Sequence, residues 1–168
     1  ESEKAAITPA SGLWPHAYLI WFTLLCTQII FGAFVAGLHG GLIYNTYPDM
    51  GGYFLPPELT TDPIWHSPAS MQFIHRTLAV IVAFGFIIWW YCHRAYVKNN
   101  HLGKVTAGVA LVIALQFTLG VLTLLHQVPL HLALTHQMVA LLLFGLGVML
   151  LYKLVNSGSW IVTGEERK

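Results

Sequence analysis

Four stretches of this sequence are apolar over the length of a membrane crossing, and the segments between them are polar. They run from about Ala17 to Leu38, Met71 to Tyr91, Val105 to Leu125 and Leu132 to Leu154. A membrane-spanning helix needs roughly 20 predominantly apolar residues, and each stretch is that long. The pattern predicts an all-α fold, an integral membrane four-helix bundle built from two pseudo-symmetric helical hairpins. Residues 1–16 read as an inner-side segment, 17–154 as the four-span bundle with a long outer loop at 39–70, and 155–168 as an inner-side tail. Trp14, Trp65, Trp89, Trp90 and Tyr152 fall at or near span ends, where amphipathic rings favour the headgroup layer.

Composition points the same way. Of the 168 residues, 56% are hydrophobic and 9% charged, whereas a soluble domain carries about 25% charged residues. So few charges cannot cover a water-facing surface, and the natural partner is the lipid bilayer. A net charge of +1 without a basic run gives no reason to propose a nucleic-acid partner. Cys26 lies inside one apolar run and Cys92 at the end of another, so no disulfide framework is indicated. The chain begins at Glu1 without a methionine, and its polar first dozen residues do not read as a cleavable signal.

The basic residues predict an orientation. Arg94, Lys98 and Lys104 lie between the second and third spans, Lys153 closes the fourth, and Lys4 precedes the first. The 39–70 loop carries only Asp49, Glu58 and Asp62 as charges. The positive-inside tendency then places both termini and the Arg94–Lys104 link on the cytoplasmic or mitochondrial matrix side. The expected membrane is the bacterial plasma membrane or the mitochondrial inner membrane, with the acidic loop outside.

The two hairpins also share polar positions. Gln28 is followed four residues later by Gly32, and Gln116 four residues later by Gly120. His75 precedes Tyr91 by sixteen residues, and His136 precedes Tyr152 by sixteen. Parallel repeats about an axis along the membrane normal would set both histidines at one shallow outer depth, facing that axis. Ionisable groups inside spans are costly and mark functional sites by default. The plain alternative is an interhelical hydrogen bond, worth about 1 kcal/mol. Two imidazoles facing each other across a bundle suit the axial positions of a haem iron, whereas zinc would usually take four ligands and no cysteine lies at this depth. Arg76 could pair with haem propionates or could snorkel to the headgroups. Gly32, Gly37, Gly85, Gly120 and Gly145 would permit close approach of helices or a flat macrocycle. His39 ends the first span among Gly37, Gly40 and Gly41. It is the other histidine that stands out.

The run Gly32-Ala-Phe-Val-Ala-Gly-Leu-His-Gly-Gly-Leu-Ile-Tyr-Asn-Thr-Tyr-Pro-Asp-Met-Gly51 resembles the signature after the first helix of a haem A synthase half. Gln72-Phe-Ile-His75-Arg76, Leu119-Gly-Val-Leu-Thr-Leu-Leu125, Val128-Pro129 and Thr135-His136-Gln137 continue the resemblance in order, which covers about Gln28 to Leu151. In that family two four-helix halves oxidise a methyl group of haem O to the formyl group of haem A. The N-terminal half carries a glutamate three residues before a histidine, and the C-terminal half holds haem b between two histidines. Here that position is Gln72, so the chain resembles the C-terminal half.

The resemblance implies one bis-histidine haem b on His75 and His136, no catalytic residue in this chain, and an oxidoreductase role as an electron-transfer component. Haem O and haem A would be handled by a glutamate-bearing half, either upstream of Glu1 or separate. His39 departs from the family's expected aspartate. Two other readings remain: a small bis-histidine cytochrome b electron carrier, and a haem-binding accessory subunit of a respiratory complex. A homo-oligomer or a respiratory-complex partner is compatible with each.

Overall fold

A computed structural model of the chain describes residues 14–156. Lys4 and most of the inner-side segments expected at 1–16 and 155–168 lie outside the described residues. Four long helices carry the fold: α1 (Trp14–Gly37), α2 (Pro68–Asn99), α3 (Gly103–Leu125) and α4 (Leu130–Asn156). All four are long and apolar enough to cross a membrane, which implies contact with lipid. The outer loop between α1 and α2 contains three short turns, at Gly40–Leu42, Glu58–Thr61 and Ile64–His66.

Helix α2 is longer than the apolar run that announces it. It starts at Pro68 because Ser67 caps it, its side chain accepting from the Ser70 N–H at 3.3 Å, with proline in the first turn. It then continues past Tyr91 to Asn99. Its 32 residues rise about 48 Å, well beyond a hydrocarbon layer of about 30 Å. Arg94 and Lys98 do not stop it, since no proline or glycine intervenes before Gly103. Arg94 instead lies over the Tyr91 ring, 4.3 Å from its centroid, while Val97 is buried. The expected Arg94–Lys104 link is therefore mostly helix, closed by a turn in which His101 has φ 56°.

The hairpin repeat extends into the packing. An offset of 88 carries α1 numbers onto α3, and an offset of 61 carries α2 onto α4, the difference being the longer first outer loop. Tyr18 and Thr106, Trp21 and Val109, and Leu25 and Ile113 are such counterparts. So are Val82 and Leu143, Phe86 and Gly147, and Trp89 and Leu150, and every one of these residues is buried. Bulk is unequal across the axis. The first hairpin supplies the large rings, Trp21 against Phe86 at 4.8 Å and Tyr18 against Trp89 at 4.9 Å, and the second supplies smaller side chains. Buried polar atoms on these rings find backbone acceptors: Tyr18 Oη donates to the Gly147 carbonyl at 2.9 Å and Trp21 Nε1 to the Val82 carbonyl at 2.8 Å.

This core occupies the first halves of α1 and α3 and the last halves of α2 and α4, the half of the bundle that carries the α2–α3 turn. Gly147 is its tightest point. A Cβ there would stand 2.8 Å from Phe22 Cε2 and 3.6 Å from Leu25 Cδ2. Gly147→Ala is expected to destabilise the bundle by about 1–3 kcal/mol through overpacking. The measurement is SDS-driven unfolding of the purified protein, with Phe22→Leu recovering part of the loss.

Candidate functional site

With that half packed, the opposite half, beneath the loop that joins α1 to α2, holds a cavity of about 840 Å³ lined by all four helices. Cofactor sites span roughly 300–1,000 Å³. The lining follows the repeat: Gln28 with Gln116, Gly32 with Gly120, His75 with His136, Arg76 with Gln137, Ala79 with Ala140. The cavity therefore lies on the pseudo-twofold axis, and each hairpin contributes one imidazole to it.

The two histidines have matching surroundings. The Gln28 amide nitrogen donates to His75 Nε2 at 3.4 Å, and the Gln116 amide nitrogen donates to His136 Nε2 at 3.2 Å. A Cβ on Gly32 would sit 3.0 Å from His75 Cε1, and one on Gly120 would sit 3.0 Å from His136 Cε1. Glutamine and glycine four residues apart lie on one helix face, so each Gln–Gly pair cradles the imidazole of the neighbouring helix. His75 Nδ1, His136 Nδ1, Gln28 Oε1 and Gln116 Oε1 are buried without a hydrogen-bond partner. Leaving such an atom unsatisfied costs about 1–3 kcal/mol. Four of them around one cavity, in symmetric pairs, fit a ligand site better than a structural contact. Among the described residues no three His, Cys, Asp or Glu converge, so the donor set offered here is a pair of imidazoles.

The outer loop is held over the cavity by polar side chains. Arg76 donates from Nη1 to the carbonyls of Thr46 and Asp49, each at 2.9 Å, and from Nη2 to that of Tyr44 at 2.7 Å. The Tyr44 carbonyl also accepts from Gln72 Nε2 at 2.9 Å. Asn45 Nδ2 donates to the Gly41 and Leu124 carbonyls, both at 2.9 Å, tying the loop to the end of α3. Tyr47 lies edge-on to Phe117 at 6.1 Å. Tyr44 Oη donates to the Glu58 carboxylate at 2.8 Å, and that hydrogen bond raises the phenol above its ordinary value of 10.0. Gly40 permits the loop's close start, since a Cβ there would meet the Pro68 carbonyl oxygen at 2.8 Å.

His75 and His136 thus meet at one cavity, which Arg76 also lines with its Nε unpartnered. His39 also lines the cavity and takes φ 53°; its counterpart by the 88-residue offset, Gln127, takes φ 60°. Of the five glycines singled out in the sequence, Gly32 and Gly120 touch the histidines. A Cβ on Gly85 would lie 3.5 Å from Trp21 Cδ1, while Gly37 and Gly145 have nothing within 4 Å of an added Cβ. The sequence marks Gln28 and Gln116 as repeat positions without showing that they contact the histidines. It gives no sign that Gln72 and Asn45 fasten the loop. Cys26 and Cys92 are both free thiols.

Residues 2–148 match the COX15-CtaA family, described as cytochrome oxidase assembly protein. The chain is 41% identical over 154 residues to a haem A synthase of Wolbachia sp. subsp. Brugia malayi, the match covering 89% of this chain and 44% of that protein. It is 42% identical over 154 residues to the haem A synthase of Rhodospirillum centenum, covering 87% and 40%. With that of Bartonella henselae it shares 43% over 127 residues, covering 70% and 34%. The chain spans less than half the length of these relatives. No solved structure matches it.

Proposed function

Because the chain belongs to the COX15-CtaA family of cytochrome oxidase assembly proteins, we propose that it is the haem b-binding half of a haem A synthase. The observation that carries this reading is the twofold cavity to which each hairpin presents one imidazole. Two imidazole donors and an apolar wall match the two axial positions and the macrocycle of a single haem b. His75 and His136 would be the axial ligands. When bound, haem supplies one-electron redox chemistry at its iron.

The remaining chemistry belongs to this chain's own residues. Gln28 and Gln116 engage the imidazoles from the neighbouring helix of each hairpin. Arg76 places a cation beside the outer part of the cavity, suited to propionate carboxylates, while its Nη groups hold the loop at Tyr44, Thr46 and Asp49. Gln72 is committed to the Tyr44 carbonyl and offers no carboxylate for acid–base work. Oxidation of haem O to haem A then falls to a glutamate-bearing half, with this half passing electrons to or from it. Both termini lie on the cytoplasmic or matrix side, which sets the cavity toward the outer face of the membrane.

Purified protein is expected to show one low-spin b-type haem per chain in a reduced-minus-oxidised spectrum. A wild type that holds no haem defeats the reading. In cells that make haem O, haem A is expected to accumulate only when a glutamate-bearing half is co-expressed. Copurification with an oxidase, without any effect on haem A yield, would support the accessory-subunit reading instead.

A further inference from the structure

The cavity departs from the twofold repeat along one seam. Between α1 and α4 it is lined by Cys26, Ile30 and Leu141. Their counterparts between α2 and α3, namely Ala114, Thr118 and Val80, do not line it. Ile30 is 57% exposed and Leu141 65% exposed, so the cavity wall at this seam is also the outer surface of the bundle. An apolar surface on membrane-crossing helices is suited to lipid. Toward the inner side the seam is shut, by Phe22 against Phe144 at 5.5 Å and by Tyr18 bonded to the Gly147 carbonyl. Toward the outer side the cavity is roofed by the loop that Arg76, Gln72 and Asn45 fasten.

We propose that the α1–α4 seam is a lateral portal through which haem passes between the bilayer and the cavity. The inference rests on the haem reading above and adds the route. Haem is a flat apolar ring with carboxylates on one edge, so it resides in a bilayer with the ring among acyl chains. Cys26, Ile30 and Leu141 carry no charge, so a ring sliding between them leaves one apolar medium for another and no ionic group has to be desolvated. Only side-chain rotations are needed to widen the gap, motions of the ps–ns class at lipid-facing positions. The outer route instead requires the three Arg76 hydrogen bonds to be broken first.

The test uses the full chain, purified without haem and reconstituted into vesicles already loaded with hemin. Haem uptake is followed by the Soret band of the six-coordinate product. Ile30→Trp and Leu141→Trp are expected to slow uptake roughly tenfold, the effect of about 1.4 kcal/mol of added barrier. Thr118→Trp and Val80→Trp, at the symmetry-related seam, are expected to keep the wild-type rate. All four positions lie on the outer surface and need no space in the core. Ile30→Ala combined with Leu141→Ala widens the seam and is expected to speed uptake. Equal slowing at both seams, or no change from any of these variants while haem still binds, overturns the portal. So does faster uptake from an albumin carrier in water than from the loaded bilayer. A wild type that binds no haem from either source overturns the haem reading itself, an outcome distinct from bound haem whose rate ignores the seam.

Discussion

Glycine in place of His75 or His136 is expected to abolish the low-spin spectrum of bound haem and to weaken haem retention by more than about 100-fold. Removing only a hydrogen-bonding partner of a metal ligand costs 10–100-fold, and here the ligand itself is lost. Each hairpin presents to the cavity one imidazole set on a glutamine and a glycine. Because the two sites are related by the repeat, the two substitutions should cost similar amounts. Glycine also leaves a hole of imidazole size, so millimolar imidazole added to either variant should restore the six-coordinate spectrum. That rescue separates loss of a ligand from loss of the fold. If both variants hold haem with an unaltered spectrum, the pair are not the axial ligands.

The second large effect concerns the outer loop. Arg76→Leu removes three hydrogen bonds from a charged donor to the Tyr44, Thr46 and Asp49 carbonyls. Bonds involving a charged group contribute about 1.5–3 kcal/mol each, so the loop should lose several kcal/mol of its hold on α2. The bundle itself should persist, since its packed core lies in the opposite half and does not include Arg76. Hydrogen exchange should therefore show residues 44–53 losing protection while the four helices keep theirs. Arg76→Lys should not restore the loop, because one ammonium cannot reproduce a planar fork that reaches three carbonyls. Gln72→Glu should loosen the same segment more mildly, replacing the donor to the Tyr44 carbonyl with a carboxylate that repels it. Unchanged loop protection in Arg76→Leu would show that the loop is held by other contacts, such as Tyr47 on Phe117 and Trp65 stacked on Phe31.

How legible each feature was follows from its range along the chain. The 88- and 61-residue offsets can be read from the Gln-x-x-x-Gly pairs and the His-to-Tyr spacings alone, and the same offsets then organise both the buried core and the cavity lining. The true length of α2 could not be read from hydropathy, because its last two turns carry Arg94 and Lys98 and are held by Arg94 on Tyr91 and by burial of Val97. Arg76 was legible as an outer cation. Its three acceptors lie 27 to 32 residues earlier, in a loop without periodicity.

The sequence by itself determined four spans, their pairing into two similar hairpins, the placement of one histidine in each second helix, and membership of a family. It could do so because lipid leaves the backbone no partner except its own helix, so an apolar run of sufficient length has one outcome. Only the tertiary structure decided that the core fills one half of the bundle and leaves the other hollow, that each histidine rests on a glutamine and a glycine of the preceding helix, and that surface-exposed side chains wall the hollow along one seam and not its twin. In a bilayer a leucine facing lipid and a leucine facing another helix are equally satisfied. Hydrophobicity therefore marks the spans but not their rotation. Rotation is set by the contacts of particular side chains, such as Phe22 on Gly147, and these exist only once the helices have met.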